Sequence, residues 1–474
     1  MTDVFVEHLL GHAGARGGAL AVADPGGELT WRELAAAVRD RAAALPTARD
    51  VTVPVAVLHR RGDVRWLVDF LALRHNGLTV VCFPGAIPAA SVERQAAGYA
   101  ATVLVTDDGC AVHPREARGE PWWRRTTLVH LTSGTTGTAS GVPRGEENLL
   151  HEAGSVAEGL ELTPGTPLLC GTPTAHSFAG GLFLAALVTG APTLVLPAFD
   201  VAEAAELAAR HRPHVLCGTP YVFRALLRTA RSRRDVLSDI RIPLTGGAPL
   251  HAELADVWGE VTGVPLVQEY GLSEGGIATA NLSHAAERPT AVGRPLPGVE
   301  VVVVRGDGTP VPAGTEGHVC VRRKDCPAHY LTPDGDLLPI GGRVPGEDGT
   351  VDTGDLGRLD EDGLLHLTGR VKSLINVAGT KVSPRSVESA LMEHPGVHDA
   401  VVVGVPDDQH GERVAAVVEA DPAEVTPASL GAHMRQRVSA PLVPRLWHVL
   451  PRLPRTASGK PNVRKIRSTI DEGR

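Results

Sequence analysis

The sequence predicts an α/β protein whose large N-terminal domain holds parallel sheets flanked by helices. Over residues 30–270, short apolar segments rich in β-branched residues alternate with longer amphipathic segments. This alternation is typical of parallel strands that are connected by helices on both faces of a sheet. The pattern changes to short strands between turns after about residue 285, and it changes again after about residue 369.

The first helix marked by a clear capping signal begins at Trp31, because Thr30 and Glu33 form a capping box. We expect this helix to end near Leu45. The further strands that we predict in this domain are 53–58, 78–83, 102–106, 126–131, 192–196, 214–217, 240–245 and 266–270. The further helices that we predict are 64–74, 91–99, 180–187, 201–210, 220–229 and 252–261.

The C-terminal third divides at residues 369–372, Gly-Arg-Val-Lys. Before this point, short strands near 301, 318 and 364 predict a β-barrel-like subdomain over about 285–369. After it, two strands and two helices predict a small, mobile α+β domain of ordinary size. We therefore predict an N-terminal domain over 1–369 and a C-terminal domain over 370–474.

Length and composition indicate a globular protein with more than one core. The chain has 474 residues, of which 43% are hydrophobic and 21% charged. A net charge of −8 gives no indication of nucleic-acid or anionic-membrane binding. We expect no secretory signal, because residues 1–20 lack a basic segment followed by an apolar one, and no apolar run reaches the roughly 18 residues of a membrane span. We expect a cytoplasmic monomer or homodimer without nucleic-acid or membrane partners.

The six cysteines are scattered and show no Cys-x-x-Cys spacing. This distribution favours reduced thiols over a disulfide framework or a zinc site.

A glycine-rich, hydroxylated segment follows the predicted strand 126–131. Its residues are Thr132, Ser133, Gly134, Thr135, Thr136 and Gly137. Glycines allow backbone N–H groups to converge on an anion, and the hydroxyl groups add donors at the same place. The segment therefore favours a polyphosphate ligand, although the Gly-Lys-Ser/Thr ending of a Walker P-loop is absent. An ordinary polar surface loop is the alternative.

Three other segments concentrate polar groups. The segment 270–274, Tyr-Gly-Leu-Ser-Glu, lies at the end of a predicted strand and has the groups to stack a base, contact a phosphate and bind Mg²⁺. Asp355 in Thr-Gly-Asp is suited to ribose hydroxyls, and Arg370 is suited to phosphate charge. Lys460 lies in a Gly/Ser/Thr-rich segment and is suited to charge on a transferring phosphoryl group. Taken singly, these segments are also explained by turns and a solvated basic tail.

In order and spacing, these segments resemble the adenylate-forming superfamily: acyl- and aryl-CoA synthetases, peptide-synthetase adenylation domains and luciferases. Six elements over nearly the whole chain carry the resemblance, namely 132–137, 246–250, 270–274, 353–355, 369–372 and 455–460. The resemblance implies that a carboxylic acid attacks the α-phosphorus of ATP and expels pyrophosphate. It also implies transfer of the acyl group to a thiol, most simply that of CoA or else of a carrier protein.

The resemblance also implies residue roles. The catalytic residues are Lys460, Glu274 and Arg370, and the Mg²⁺ ligands are Thr132 and Glu274. Besides these residues and the loop 132–137, ATP is expected to contact Gly247, Ala248, Pro249, Glu269, Tyr270, Gly271, Ser273 and Asp355. The acid pocket is expected to comprise His176, Ser177, Phe178, Gly180, Gly218, Gly247, Gly275 and Gly276. Lys372 is the hinge about which the C-terminal domain would swing to remove Lys460 and admit the second nucleophile.

The sequence departs from the family pattern at the phosphate loop. The family usually continues this loop with Pro-Lys-Gly, whereas this chain has Ala139-Ser140-Gly141. We hypothesise that Arg144 partly replaces the charge of the missing lysine.

The segment 175–181 contains no carboxylate to pair with an α-ammonium group, so we expect an aryl or acyl acid and not an α-amino acid. His176 either lines the pocket or caps a helix. An amide-forming or carrier-protein ligase, and a catalytically weak nucleotide-binding protein, are the alternative functions.

Overall fold

The computed structural model describes residues 3–85, 87–116, 121–132, 140–232, 234–332, 334–340, 349–407, 411–456 and 459–472. The chain forms two compact units. The first unit comprises Met1–Val301 and Cys320–Asp352, and the second comprises Val302–Val319 and Thr353–Arg474. The second unit therefore contains the predicted C-terminal domain together with strand segments that precede it.

Helices occur in both units. In chain order they are α1 (Val4–Arg16), α2 (Trp31–Ala43), α3 (Val64–His75), α4 (Ala89–Gly98), α5 (Glu146–Gly159), α6 (Ser177–Thr189), α7 (Val201–His211), α8 (Pro220–Ser232), α9 (Ala252–Thr262), α10 (Pro384–Met392), α11 (Pro427–Arg435) and α12 (Val463–Glu472).

The strands of the first unit form two sheets. They are β1 (Leu20–Asp24), β2 (Gly27–Thr30), β3 (Val55–His59), β4 (Thr79–Phe83), β5 (Val103–Thr106), β6 (Gly109–Val112), β7 (Leu128–Leu131), β8 (Gly141–Arg144), β9 (Leu168–Cys170), β10 (Thr193–Val195), β11 (Val215–Gly218), β12 (Ile242–Thr245), β13 (Val267–Leu272), β14 (Gly276–Ala280) and β15 (Arg294–Pro295). The same two sheets also contain β18 (His329–Leu331) and β19 (Leu337–Pro339). The remaining strands are β16 (Val299–Val304), β17 (Gly317–Arg323), β20 (Thr350–Leu359), β21 (Leu365–Arg370), β22 (Ile375–Val377), β23 (Thr380–Val382), β24 (Val397–Asp407), β25 (Gly411–Ala420) and β26 (Leu446–Leu450).

Both sheets of the first unit have a parallel centre and antiparallel edges. One sheet has the order β15-β14-β13-β12-β11-β9-β10-β1-β2, and the other has the order β19-β18-β8-β7-β4-β3-β5-β6. The strands from β13 to β1 in the first order pair in parallel, whereas β13–β14 and β1–β2 are antiparallel hairpins. The predicted α/β class is confirmed, with mixed sheets where antiparallel hairpins extend the edges.

One helix of the first unit, α6, is apolar on all sides. Residues 178–187 of α6 are all buried, in a cluster that includes side chains from strands of both sheets. A helix that is hydrophobic all round belongs in the interior of a large protein. Gly190, with φ of +76°, ends the helix in the left-handed conformation that glycine adopts without steric cost.

The second unit is an α+β structure, as predicted. β24 and β25 form a long antiparallel hairpin in which Val403 lies opposite Ala415, and β26 pairs with β25 in parallel. Helices α10 and α11 contribute Leu391 and Leu430 to one buried cluster. The strands β16, β17, β20 and β21 form a four-stranded sheet in the part of the chain where the sequence predicts a β-barrel-like subdomain, about 285–369.

Two further properties concern the whole described chain. Each of the six cysteines is a free thiol, with Cys110 exposed and Cys326 half-buried. Within the described ranges, no helix has both the length and the apolar character that crossing a bilayer requires.

Candidate active site

Three neighbouring parallel strands of the first unit end at a common edge. In the order β11-β12-β13, Gly218 lies opposite Thr245. Gly246 follows β12 directly and donates its N–H to the Gly218 carbonyl at 3.1 Å. A Cβ atom at Gly246 would overlap the carboxylate of Glu269, so a larger residue there would have to displace that side chain. Gly218, Gly246 and Glu269 therefore meet at the carboxyl ends of the strands, where open α/β sheets bind ligands.

The turn after β12 continues with Gly247, which has a φ of +72°. This left-handed conformation carries little steric cost for glycine alone. Ala248 and Pro249 follow, so the predicted adenine-side turn begins at the same sheet edge.

The predicted segment 270–274 comprises the end of β13 and the start of the turn that leads to β14. Leu272 lies opposite Gly276, which places Ser273, Glu274 and Gly275 in the connection. The half-buried Glu274 carboxylate accepts a hydrogen bond from the Tyr330 hydroxyl at 2.5 Å. The prediction that this segment lies at the end of a strand is confirmed, whereas the contact with Tyr330 is not indicated by the sequence.

The N-terminus of α6 approaches this hairpin. Ser177 Oγ lies 3.5 Å from Ser273 Oγ. His176 caps α6, because its Nδ1 accepts a hydrogen bond from the Phe178 N–H at 3.4 Å. The capping role left open by the sequence is therefore observed. These contacts bring the predicted pocket segment 176–181 beside the hairpin 272–276.

His130, an uncharged histidine, lies next to Gly180 near the start of α6. A Cβ atom at Gly180 would lie 3.2 Å from His130 Nε2 and 3.1 Å from the Thr174 carbonyl. Burial, aided by the positive charge of Arg144, lowers the pKa of His130 to about 3. His130 is therefore an uncharged group in this part of the site.

Sequence reasoning missed one carboxylate at the site, that of Glu152 on α5. Its Oε2 accepts a 2.5 Å hydrogen bond from Arg144 Nη1, and its Oε1 accepts one from the Ile277 N–H at 3.2 Å. The side chain occupies space left by glycines, because a Cβ atom at Gly181 or Gly276 would overlap the Glu152 carboxylate.

The spacing of α5 contains a signal for this residue. Leu149, Glu152, Ala153 and Val156 follow the i, i+3, i+4, i+7 pattern of a buried helix face, and all four are buried. A lone carboxylate in such a stripe needs a buried partner.

Arg144 is held in the protein interior by its hydrogen bonds to Glu152 and Asn148. Its side chain is fully buried, and its Nε also donates to Asn148 Oδ1 at 2.5 Å. This geometry speaks against the hypothesis that Arg144 replaces the missing lysine of the phosphate loop, because a guanidinium held by Glu152 and Asn148 is not available to a nucleotide.

The predicted phosphate loop is described only at its base. Thr132 donates both its N–H, at 2.9 Å, and its hydroxyl, at 3.1 Å, to the Ser140 carbonyl. Ser133, Gly134, Thr135, Thr136 and Gly137 lie outside the described residues. Their role in phosphate binding stays a prediction.

In the second unit, Asp355 on β20 lies directly opposite Arg370 on β21. Arg370 Nε donates to Asp355 Oδ1 at 2.6 Å, and the Arg370 side chain is 62% exposed. Lys372, the predicted hinge, lies in the short 3₁₀ turn Val371–Ser373 that follows β21. The two residues predicted to bind ribose and phosphate are therefore neighbours.

Backbone hydrogen bonds close the segment around Lys460 into a tight turn. The Lys460 carbonyl accepts the Thr456 N–H at 2.8 Å, and Gly459 has a φ of +79°. Arg455 anchors the base of this turn, since its Nη2 contacts Asp399 at 2.7 Å and Glu419 at 2.8 Å. The lysine predicted to be catalytic is thus carried by a turn that ion pairs fix to β24 and β25.

The described residues fit a magnesium ion held mainly by substrate. Among the residues described, no three His, Cys, Asp or Glu side chains cluster to form a protein-only cage. Mg²⁺ in nucleotide sites is usually held by one or two carboxylates together with phosphate oxygens. The half-buried Glu274, at the end of a parallel strand, suits that arrangement.

Two family models match the chain. The model for AMP-binding enzymes matches residues 114–331, and the model for the C-terminal domain of AMP-binding enzymes matches residues 386–460. The matched segments include Thr132, the hairpin with Glu274, and Lys460. The chain belongs to the AMP-binding enzyme family, the adenylate-forming superfamily that the motifs resemble.

Curated relatives agree with this assignment. Feruloyl-CoA synthase from an Amycolatopsis species is 31% identical over 338 residues, which are 70% of this chain and 67% of the relative. The fatty acid–[acyl-carrier-protein] ligase ScoC from Streptomyces coeruleorubidus is 33% identical over 348 residues, which are 71% of this chain and 66% of that protein.

Among solved structures, the amide bond synthetase McbA from Marinactinospora thermotolerans has a TM-score of 0.79 and 28% identity. The match covers 98% of this chain and 99% of that one. ATP-bound MatB from Rhodopseudomonas palustris has a TM-score of 0.80 and 25% identity, with 98% of each chain covered.

Proposed function

We propose that this chain is an AMP-forming ligase that activates a carboxylic acid with ATP. A carboxylate oxygen of the acid attacks the α-phosphorus, the bond from that phosphorus to the bridging oxygen breaks, and pyrophosphate leaves. The product is an acyl-adenylate, which a thiol then attacks at the carbonyl carbon with release of AMP. The observation that carries this proposal is the hairpin 270–274 at the carboxyl edge of the β11–β13 sheet, next to the N-terminus of α6.

Phosphoryl transfer offers little covalent chemistry to a protein, so positioning and charge must supply the rate. We assign the adenine to Tyr270 and the turn after β12, and the ribose hydroxyls to Asp355. The loop 132–137 would hold the β- and γ-phosphates. Mg²⁺, held by Glu274 and Thr132, would offset phosphate charge when bound. Lys460 would place its ammonium group between the α-phosphate and the acid, and the exposed Arg370 would add charge near the nucleotide.

The acid is proposed to lie between α6 and the hairpin. Residues 175–181, which are all described, contain no carboxylate to pair with an α-ammonium group, and the nearby Glu152 carboxylate is already paired with Arg144. An unpaired buried ammonium costs several kcal/mol, on the order of the penalty for an isolated buried charge. This cost supports an aryl or acyl acid over an α-amino acid.

The acceptor is proposed to be the thiol of CoA. The relative from Amycolatopsis is named as a CoA synthase, which supports this choice. The carrier-protein ligase and the amide bond synthetase among the similar proteins make a carrier thiol and an amine the alternatives to be tested. We further propose that the enzyme works in the cytoplasm as a monomer or homodimer, without nucleic acid or membrane.

The test is pyrophosphate release with a panel of aryl and alkyl acids, followed by mass spectrometry of products formed with CoA, a carrier protein or an amine. We expect release only when an acid is present, and an acyl-CoA product when CoA is added. An amide product would show that the acceptor is an amine and not CoA. Absence of pyrophosphate release with every acid would overturn the proposal.

A further inference from the structure

The two residues proposed to bind Mg²⁺ belong to different sheets of the first unit. Glu274 follows β13 in one sheet, whereas Thr132 directly follows β7 in the other. One ion can contact both residues only if these two strand ends are held at a fixed distance from each other. A contact that joins the two sheets at this point would therefore fix the geometry of the metal site.

Tyr330 belongs to the sheet that ends at Thr132. Leu131, the last residue of β7, lies opposite Gly141 on β8, and Gly141 lies opposite Leu331 on β18. Because neighbouring strands are about 4.8 Å apart, the backbone of Leu331 lies about 10 Å from that of Leu131, at the base of the predicted phosphate loop. Backbone pairing thus places β18, which carries Tyr330, relative to the strand that positions Thr132.

The same part of the chain contacts the turn that carries Glu274. The Tyr330 hydroxyl donates to Glu274 Oε1 at 2.5 Å. A second approach lies earlier in the segment, because a Cβ atom at Gly275 would lie 3.8 Å from Cys326 Sγ. Residues 326–330 therefore run beside the turn after β13, and the Tyr330 hydroxyl joins that turn to the sheet of Thr132.

The hydrogen bond from Tyr330 leaves one carboxylate oxygen for a ligand. Glu274 is half-buried, and among the described residues its Oε2 atom has no hydrogen-bond or ion-pair partner. A glutamate side chain loses rotamer freedom when it becomes ordered, and this loss opposes ligand binding unless another contact has already ordered it. A hydroxyl that donates to an ionised carboxylate is a strong contact of this kind. Tyr330 therefore orders Glu274 in advance and leaves Oε2 available.

We propose that Tyr330 is a positioning residue for Mg²⁺, which orients the Glu274 carboxylate and holds it to the sheet that carries Thr132. Hydrogen-bond partners of metal ligands commonly set the orientation of the ligand in this way. The inference rests on the proposed function, since it concerns the metal ion bound with ATP at the same site. Tyr330 acts through Glu274 and contacts neither the nucleotide nor the acid in this proposal.

The first test measures binding without turnover. The probe is α,β-methylene-ATP, which cannot release pyrophosphate, and its affinity is measured by calorimetry with saturating Mg²⁺ and again with EDTA. Tyr330→Phe should weaken binding about tenfold with Mg²⁺ and leave binding in EDTA unchanged, because only the orientation of the metal ligand is lost. An equal loss in both conditions, no loss in either, or a wild-type affinity that does not depend on Mg²⁺ would overturn the inference.

The second test asks whether Tyr330 acts through Glu274. Glu274→Ala removes the acceptor of the hydrogen bond, so adding Tyr330→Phe to this variant should cause no further loss of Mg²⁺-dependent binding. A further loss of about tenfold in the double variant would overturn the inference, because the hydroxyl would then act independently of the carboxylate.

Tyr221→Phe is the matched control, since it removes a hydroxyl from an exposed tyrosine and should keep the wild-type affinities in both conditions. Circular dichroism checks the fold of each variant. Tyr330→Phe keeps the aromatic ring and should stay folded. If it unfolds, the hydroxyl is required for the fold itself, and a role limited to positioning is overturned.

Activity separates this inference from the proposed function. With an acid that the wild type accepts, Tyr330→Phe should raise the Mg²⁺ concentration at half-maximal pyrophosphate release about tenfold and leave the KM for the acid unchanged. Release by the wild type together with an unchanged Mg²⁺ requirement in Tyr330→Phe would overturn this inference alone. Absence of release from the wild type with every acid would overturn the proposed function, and this inference with it.

Discussion

The two units each contain an arginine–carboxylate pair of similar N–O distance, but the arginine is buried in one pair and exposed in the other. In the first unit, Arg144 and Glu152 are 0% and 1% exposed, whereas in the second unit Arg370 is 62% exposed and Asp355 only 10%. Both pairs are close, at 2.5 and 2.6 Å. Distance therefore does not distinguish them, but burial does.

This difference in burial decides whether the arginine is held by its carboxylate or can bind a ligand. A buried pair has given up the hydration of both ions, so each partner depends on the other. An exposed arginine keeps its water and can exchange one anionic partner for another at small cost. We therefore expect the first pair to shape the interior and the second to meet a ligand.

The largest expected effect concerns stability. Arg144→Met leaves Glu152 buried without its partner and should lower the free energy of unfolding by about 3–5 kcal/mol. Arg370→Met removes an exposed partner and should cost about 1 kcal/mol or less. Urea denaturation followed by far-ultraviolet circular dichroism measures both, and equal losses would refute the distinction.

The second prediction concerns the rate of pyrophosphate release and not the stability of the fold. Lys460→Ala should slow pyrophosphate release by roughly 10²–10³-fold, because a charge contact to the transition state is lost. The unfolding midpoint should hardly change, since the ion pairs of Arg455 anchor the turn.

The exposed Lys465 provides the control: Lys465→Ala should keep the wild-type rate. Loss of rate in both variants would indicate a general charge effect and would remove the special role of Lys460.

The smallest expected effect concerns pH and lies in the second unit. Burial raises the pKa of the Glu388 carboxyl from an ordinary 4.5 to about 7, although the Val402 N–H bond opposes the shift. The folded state then holds a proton that the unfolded state loses between these values. Stability should therefore be complete below pH 4.5, fall as pH rises to about 7, and level off above it, by on the order of 1–3 kcal/mol.

Glu388→Gln, which does not titrate, is the matched comparison. The difference in unfolding free energy between wild type and variant, measured from pH 4.5 to 8, should follow this curve. A difference that stays constant across the range would show that Glu388 has an ordinary pKa.

The site elements that were predicted well are local in sequence. The capping box of Thr30 and Glu33 is present in α2, and the segment 270–274 lies at the end of a strand as expected. Helix ends were less accurate: α6 begins at Ser177 and not at Gly180, because His176 supplies the cap. A signal such as the capping box depends on residues within one helical turn, so it can be recognised from the sequence without knowledge of the fold.

The missed part of the site depends on distant residues. Helix α5 was not predicted, because Gly145 precedes it without a side-chain cap. Glu152 then meets Ile277, which is 125 residues away in sequence. Nothing local in the sequence indicates that contact. Because Glu152 was not recognised as a buried carboxylate, its pairing with Arg144 was not recognised either, and Arg144 was assigned to the phosphate loop. The roles of residues 133–137 in that loop stay predictions.

The central claim is that the acid becomes joined to AMP through its own carboxylate oxygen. This claim is tested by supplying an acid whose carboxylate carries the heavy oxygen isotope, together with ATP and CoA, and by weighing the AMP released. The account predicts that AMP gains one heavy oxygen, because the bridging oxygen of the acyl-adenylate stays with phosphorus when the thiol attacks carbon. Unlabelled AMP, or release of ADP with labelled phosphate, would contradict it.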